Sequence, residues 1–419
     1  MPAIFKTDTL VLGQALALGL MAAMGGASPL AAQSSYEFSF GALSDDFLGR
    51  SETYGITAFD GAYFSGRHAF GDLRLSYTLG DAFENDAVDA GLVFFDVSYA
   101  LGDGNWRIGA GQSERHWGPS RYTSLILSRN APAFPAAYIV KEEATQSDLP
   151  VLRWIGPWYG EFLIGTTDDA GQPDDALFVG MRLGLEPTPG LEVEFIRAIQ
   201  YGGDGQPSGF GAFTDAVFGN TNEGAAAGAN QVAGLSLSYD FNPDQNGVRL
   251  YGQALGEDEA GGLPSCWFFM AGVEARTRIL GAKSTLTLEH VDTTVNTTEN
   301  GFCGPGTAYG NTTYSYRNEG VVLGAAIGSE SRSTQLRGRH EMPNWTLDWS
   351  LGHFAINDAN LPGHSLSTTR ETGTVASIGA SFDFAGGTVQ GIIAHQDFDL
   401  DTADQDSGTR VGVSYSRSF

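Results

Sequence analysis

Basic residues are scarce in this chain of 419 residues, because 23 Lys and Arg stand against 49 Asp and Glu and give a formal net charge of −26. So acidic a surface repels phosphate backbones, which excludes a nucleic-acid-binding protein. Charged residues of both signs make up only 17% of the chain, below the roughly 25% usual in soluble domains. Long apolar runs are missing after residue 32, which excludes a helical membrane protein.

Glycine and aromatic residues are abundant instead. The chain holds 57 Gly, about twice the usual share, and 26 Phe, 15 Tyr and 7 Trp are spread among them. Many aromatics with many glycines and few charges are typical of a β protein that has tight turns and a partly apolar exterior.

The N-terminus predicts the compartment. Lys6 precedes an apolar stretch over residues 10–24, and small residues follow up to Ala32. This order is that of a secretory signal peptide, while a buried N-terminal helix is the alternative. We therefore expect residues 1–32 to be removed on export and residues 33–419 to form one outer-membrane β-barrel domain.

Apolar and polar residues alternate along much of the remaining chain, as in Trp345, Leu347, Trp349 and Leu351. The segments that alternate in this way are 73–79, 95–99, 179–185, 235–241, 345–351 and 378–384. A period of two gives a β-strand with one apolar and one polar face. A soluble sandwich has the same pattern, so the alternation leaves the choice of fold open.

Three further observations favour a membrane barrel. The candidate strands approach the 9–11 residues that cross a bilayer at a tilt. Short turns such as 281–282 alternate with long polar segments such as 201–231, as in barrels with short periplasmic turns and long external loops. The last strand carries Val411, Val413 and Phe419 on one face. We therefore predict an all-β, transmembrane, antiparallel barrel of about 18 strands in the outer membrane of a Gram-negative bacterium.

Residues 112–150 do not alternate, and Pro119, Pro132 and Pro135 argue against a regular central strand there. Arg beside aromatic rings suits an acidic sugar, because guanidinium binds carboxylate and rings cover the apolar sugar face. In the alternative reading, the aromatic and aliphatic residues pack the segment and its arginines pair with acids of the lumen. The candidate polysaccharide-binding residues are Arg115, His116, Trp117, Arg121, Ser124 and Arg129.

The same segment resembles a known family. His-Trp-Gly-Pro at 116–119, followed by Ser-Leu-Ile-Leu-Ser-Arg-Asn-Ala at 124–131, is similar to the signature of the Wzi capsule-assembly family of outer-membrane proteins. Weaker, strand-like similarities cover 182–203, 230–234, 250–259 and 314–324. The resemblance implies an eighteen-stranded barrel that binds capsular polysaccharide and helps to anchor or organise it on the cell surface.

The only two cysteines, Cys266 and Cys303, both fall on the long-loop side of one predicted hairpin. Export permits oxidation, so we predict a disulfide that ties two external loops, with two free thiols as the alternative. The seven histidines form no metal-ligand spacing, so no metal or cofactor is expected. No Gly-x-Ser-x-Gly nucleophile motif is present, and we do not expect an enzyme.

These features predict a monomeric outer-membrane protein that binds surface or capsular polysaccharide and assists capsule assembly or attachment. Its expected partners are that polysaccharide and the outer-membrane lipid with its lipopolysaccharide. A diffusion porin for small anionic or sugar solutes is the alternative, in which the same arginines would line a constriction.

Overall fold

The computed structural model describes most of the chain after residue 32. The described ranges are 33–44, 60–81, 91–147, 153–218, 224–226, 228–242, 246–260, 263–296 and 302–419. The predicted signal peptide, residues 1–32, lies outside the described residues.

Twenty strands follow one another along the described chain. The first ten are β1 (Gln33–Leu43), β2 (Gly61–Phe70), β3 (Leu73–Asp81), β4 (Gly91–Leu101), β5 (Trp106–Gln112), β6 (Pro135–Gln146), β7 (Pro157–Thr167), β8 (Ala176–Thr188), β9 (Leu191–Tyr201) and β10 (Asn230–Asp240). The second ten are β11 (Val248–Ala260), β12 (Leu263–Ile279), β13 (Ala282–Asp292), β14 (Arg317–Asn318), β15 (Val321–Val322), β16 (Arg332–Glu341), β17 (Trp345–Ile356), β18 (Glu371–Phe384), β19 (Gly387–Gln396) and β20 (Gly408–Ser418).

Eighteen of these strands form one closed antiparallel sheet, and only the short pair β14 and β15 stands apart from it. Sequential strands are neighbours, and β20 closes the barrel by pairing with β1 in a register that sets Tyr415 opposite Phe40. The amide of Phe419 extends the seam by donating to the Tyr36 carbonyl at 2.9 Å. The predicted barrel, its strand number and its closing C-terminal strand are confirmed.

The alternation in the sequence separates the two faces of the wall. In β17, Trp345 and Leu351 point outward and are 42% and 51% exposed, whereas Asp348 and Ser350 point inward and are buried. Similar exposed apolar side chains recur around the barrel, with Ile378 at 54% and Ile393 at 53%. An apolar exterior around a polar interior is the arrangement of an outer-membrane barrel, with lipid outside and water inside.

Short connections lie at one end of the barrel and long ones at the other. Residues 280–281 join β12 to β13 at the short-turn end, while residues 293–331 join β13 to β16 at the long-loop end. By the rule for such barrels, the short turns face the periplasm and the long loops face outward.

The stretch predicted as non-strand over residues 112–150 is shorter in the structure. Gln112 ends β5, and Pro135 begins β6 opposite it. Proline is compatible with the first residue of a strand, where its missing N–H interrupts no ladder, so Pro135 does not prevent β6 from beginning here. The inserted segment between the two strands is therefore residues 113–134.

A short helix, α1 (Phe210–Phe218), lies within the predicted long loop between β9 and β10. Its buried Ala212 and Ala216 pack in one cluster with Ile199, which faces outward on β9. Arg197, also on the outer face, donates through Nη2 to the Ala216 carbonyl at 3.1 Å. The helix therefore lies on the outer wall, where it covers a charge that would otherwise face lipid. No helix among the described residues has the length and apolarity to cross a bilayer.

Candidate functional site in the lumen and at the external rim

Two segments fold into the lumen from the long-loop end, and we call residues 113–134 the inner layer and residues 302–331 the outer layer. Leu125 and Ile126 of the inner layer are fully buried. Tyr309 donates its hydroxyl to the Leu125 carbonyl at 2.8 Å, and Tyr316 does the same to Ile126 at 3.0 Å. Because the hydroxyls of one layer meet the carbonyls of the other, the two layers are joined face to face.

The inner layer is fixed to the barrel wall by Glu289, whose carboxylate points inward from β13 and is 1% exposed. It accepts hydrogen bonds from Ser120, from Thr123 Oγ1 at 2.9 Å and from Tyr251 at 2.8 Å. Arg337 of β16 lies 3.3 Å away and balances the charge. A buried carboxylate with four such partners holds this part of the inner layer against three strands, β11, β13 and β16.

A second attachment lies across the lumen on β7. Glu161 accepts a hydrogen bond from Arg115 Nε on one carboxylate oxygen at 2.9 Å and a hydrogen bond from Trp117 Nε1 on the other at 3.0 Å. The Arg115 side chain is only 7% exposed, and Trp117 is 1% exposed in the hydrophobic cluster of the layer. These two candidate residues therefore bind the wall of their own barrel.

His116 and Ser124 are likewise placed inside the inner layer. The Ser124 hydroxyl is fully buried and donates to the Trp117 carbonyl. His116 Nε2 lies 2.8 Å from the Ser120 carbonyl. Burial lowers the pKa of His116, against the opposing effect of that carbonyl. Burial thus favours the neutral imidazole, and the only role that these contacts give His116 is a structural one within its own segment.

Arg121 and Arg129 remain exposed among the six candidates. Arg121 Nε contacts Glu274 Oε2 at 3.0 Å while its side chain stays 64% exposed. Arg129 Nη2 donates to the Arg121 carbonyl at 2.7 Å. Glu274 is opposite Thr287 of β13, two positions nearer the periplasm than Glu289, which holds the inner layer. The exposed pair therefore lies on the lower side of the inner layer, toward the periplasmic half of the lumen.

A cavity of 480 Å³ is found in the periplasmic half of the lumen. Glu161, Arg182 and Glu192 are among its lining residues. Arg182 forms an ion pair with the buried carboxylate of Glu194 and stacks on the Tyr159 ring at 4.9 Å. The lining is polar and mostly acidic, so this space is a hydrated vestibule below the inner layer.

Cys266 and Cys303 form a disulfide with their Cα atoms 5.4 Å apart. The expectation that it ties two external loops is wrong for Cys266, which lies within β12. The reason is that β11 and β12 continue as a hairpin past Cys266 up to the pair Ala260 and Leu263, so the strand begins earlier than the polar sequence indicates. The bond fastens the start of the outer layer to the wall.

The external rim carries two arginines that the sequence analysis missed. Arg332 begins β16 and Arg370 immediately precedes β18, and their side chains are 43% and 55% exposed. Both contact the carboxylate of Asp358, Arg370 through Nε at 2.8 Å. Arg332 also contacts Asp292 at 3.1 Å. No local motif marks this pair, because the hairpin through β17 brings together residues that lie far apart in the chain.

Comparison with known proteins agrees with this architecture. The family described as capsule assembly protein Wzi matches residues 50–410, which is most of the chain. The chain belongs to the Wzi family. This Wzi-family protein is an outer-membrane barrel, since its closed eighteen-stranded sheet carries an apolar exterior.

Among relatives of the Wzi-family chain is an uncharacterized 55.8 kDa protein in the cps region of Klebsiella pneumoniae, 32% identical over 166 residues. That match covers 39% of this chain and 33% of the Klebsiella protein. The fold is also that of Wzi of Escherichia coli, described as an outer membrane protein involved in group 1 capsule assembly and a carbohydrate-binding β-barrel. The TM-score is 0.71 at 19% identity, over 100% of this chain and 89% of that one.

A more distant fold similarity links this Wzi-family barrel to the outer membrane protein OpdK of Pseudomonas aeruginosa. That match has a TM-score of 0.51 at 10% identity and covers 92% of this chain and 98% of the other. The two barrels thus share the architecture of the wall.

Proposed function

We propose that this Wzi-family protein binds capsular polysaccharide on the external face of the barrel and so helps to assemble or attach the capsule. The observation that carries the proposal is the double-layered filling of the lumen in a chain of this family, which leaves the long-loop end as the surface that the barrel presents outward. The proposed role is binding without catalysis. We also propose that export removes residues 1–32 and that the protein works as a monomer in contact with lipopolysaccharide.

The filled lumen also argues against the diffusion porin that the sequence left open. The cluster that contains Trp117 and Leu125 continues without interruption to Tyr316 and Leu323 of the outer layer. A contiguous buried cluster of this kind, at the density usual for protein interiors, obstructs the part of the lumen that the structure describes. We therefore expect purified protein to show low conductance in planar bilayers.

Arg332 and Arg370 are the residues that we propose for the contact with the glycan. Their exposed guanidinium groups flank Asp358 on the external side, and guanidinium can bind a sugar carboxylate through two parallel hydrogen bonds. Because Arg332 and Arg370 face Asp292 and Asp358, the cluster is formally neutral, and it offers an acidic polymer exposed guanidinium N–H donors rather than an excess of positive charge. Each contact is weak and sensitive to salt, and many copies along one polymer add up to firm retention.

The test compares two matched pairs of arginines in a strain that lacks its own copy of the gene. R332A/R370A removes the external pair, and R121A/R129A removes the exposed lumenal pair. We expect the external double variant to release capsule into the medium while the lumenal variant retains it, measured as the ratio of cell-bound to free polysaccharide. Both variants are first checked for normal membrane insertion by heat-dependent migration in gels.

Release by the lumenal variant alone would contradict the external site and restore Arg121 and Arg129 as the glycan contacts. Retention by both variants, with the native gene required for retention, would contradict an arginine-based contact altogether.

A further inference from the structure

Three of the seven histidines lie on the outer wall of the barrel near its external end. His290 is on β13, His353 on β17 and His395 on β19, each within three residues of the long-loop end of its strand. The strand register continues between them, since His290 is opposite Thr334 and Thr334 is opposite His353. On the next strands His395 is opposite Thr409. We call His290, His353 and His395 the outer histidine row.

Each histidine of the row stands at the edge of the lipid-facing surface. The residue two positions nearer the periplasm on the same strand is apolar and exposed. These residues are Leu288 at 46%, Leu351 at 51% and Ile393 at 53%. Side chains that alternate on a strand share a face every second residue, so the imidazoles extend each apolar stripe on its water side. Because the lipid headgroups begin where the apolar band of such a barrel ends, we infer that the row lies at the depth of the outer-leaflet headgroups.

Two of the rings are held in the same way. His290 Nδ1 lies 2.8 Å from Thr334 Oγ1, and His395 Nδ1 lies 3.0 Å from Thr409 Oγ1. The bond on Nδ1 fixes the ring plane and leaves Nε2, on the opposite edge of the imidazole, directed away from the neighbouring strand. When the threonine hydroxyl donates to Nδ1, the neutral ring carries its proton on Nε2 and can donate it outward.

We propose that the outer histidine row binds the phosphate groups of outer-leaflet lipids. Imidazole N–H donors at headgroup depth match phosphate oxygens, and hydrogen bonds to a charged acceptor are stronger than neutral ones. Of the charged groups nearby, Asp292 is paired with Arg332 at 3.1 Å. Asp397 lies beyond His395 on the water side, where its carboxylate accepts a bond from the Thr374 amide.

A single metal ion is a poorer match for the row. One strand, β16, separates His290 from His353, and neighbouring strands are about 4.8 Å apart, so the two backbones are about 10 Å from each other. Imidazole ligands of one zinc ion all lie about 2 Å from it. Separate contacts to the phosphates of neighbouring lipids suit this spacing better.

The test measures binding of two lipids to the folded, detergent-solubilised protein by native mass spectrometry. The probes are diphosphorylated lipid A and the same lipid after enzymatic removal of both phosphates. The variant H290F/H353F/H395F keeps three rings and removes their nitrogens. The matched control is H340F, since His340 also bonds a hydroxyl through Nδ1, to Ser284 at 2.9 Å, but lies near the periplasmic end of β16.

We expect native protein and H340F to prefer the phosphorylated lipid by at least about tenfold, the contribution of one bond to a charged acceptor. The triple variant should lose that preference and bind both lipids alike, while chelation of divalent cations leaves the native preference intact. An unchanged preference in the triple variant would overturn the proposal. So would a native preference that disappears with chelator, because a bridging cation would then be the ligand. The capsule-retention assay is independent of this readout.

Discussion

Removal of the Glu289 side chain is expected to weaken the docking of the inner layer on the barrel wall. The substitution Glu289→Ala deletes the acceptor of the Ser120 and Thr123 hydroxyls, which are two of the bonds that join the inner layer to the wall. The second attachment, through Glu161, is left in place. The substitution also takes away the carboxylate that faces buried Arg337. The barrel hydrogen bonds of β13 are untouched, so the wall should still form.

The magnitude follows from those contacts. A hydrogen bond to a charged group contributes about 1.5–3 kcal/mol, and two of them join the inner layer to Glu289. Breaking a buried ion pair costs about 3–5 kcal/mol. We take about 3 kcal/mol as the lower bound for the loss of docking free energy, and at 1.4 kcal/mol per tenfold this raises the open population about 100-fold.

Limited trypsin digestion measures the open population. Arg121 and Arg129 are exposed only to the lumen, which is too narrow for a protease, so cleavage after either residue requires the inner layer to leave its site. The expected result is cleavage within residues 113–134 about 100 times faster in E289A than in the native protein. The control is E341A, which removes an exposed carboxylate 3.7 Å from Arg339 and should change the rate less than about twofold. Equal cleavage of native protein and a normally folded E289A would refute the docking role of this carboxylate.

Three further substitutions probe the same architecture. W117A should lower the free energy of unfolding by about 3–5 kcal/mol in guanidinium titrations, because the side chain is 1% exposed, whereas W117F should lose less; equal losses would contradict a packing role. C266S/C303S should lower it by about 4 kcal/mol, as loop-closure entropy gives for a separation of 37 residues, and no loss would show that the outer layer is held without the bond. Burial lowers the pKa of His364, so the unfolded chain binds more protons than the folded chain when the pH falls below about 6.5. The folded state therefore has its full stability above about pH 6.5 and loses part of it as the pH drops through that value. The unfolding midpoint of H364Q should therefore change less between pH 7.5 and pH 5 than that of the native protein, and identical pH dependence would remove His364 from the explanation.

The wall of the barrel could be predicted from the sequence because its signal is local. Alternation over 345–351 specifies which side chains of β17 face lipid and which face the lumen, and the structure follows it. The interior was not predictable in the same way. Ser120 meets Glu289 across 169 positions of sequence, and Tyr316 meets Ile126 across 190. Such contacts depend on the closure of the whole sheet.

In the candidate site, too, the sequence indicated local features but not the contacts between distant residues. The family resemblance drew attention to residues 116–131, and the structure makes this segment the inner layer, where Trp117 and Arg115 bind the wall. The alternative reading, in which the arginines pair with lumenal acids, describes Arg115 and Arg121 in the structure. Arg332 and Arg370 carried no local signal, since only Asp358 on the intervening loop brings them together.

The most direct measurement for the central claim is binding of purified capsular polysaccharide from the producing strain to the protein in lipid nanodiscs. Biolayer interferometry should give saturable binding to native protein that weakens with added salt, persists in R121A/R129A and is lost in R332A/R370A. No binding to the native protein, or binding that the external double substitution leaves unchanged, would contradict it.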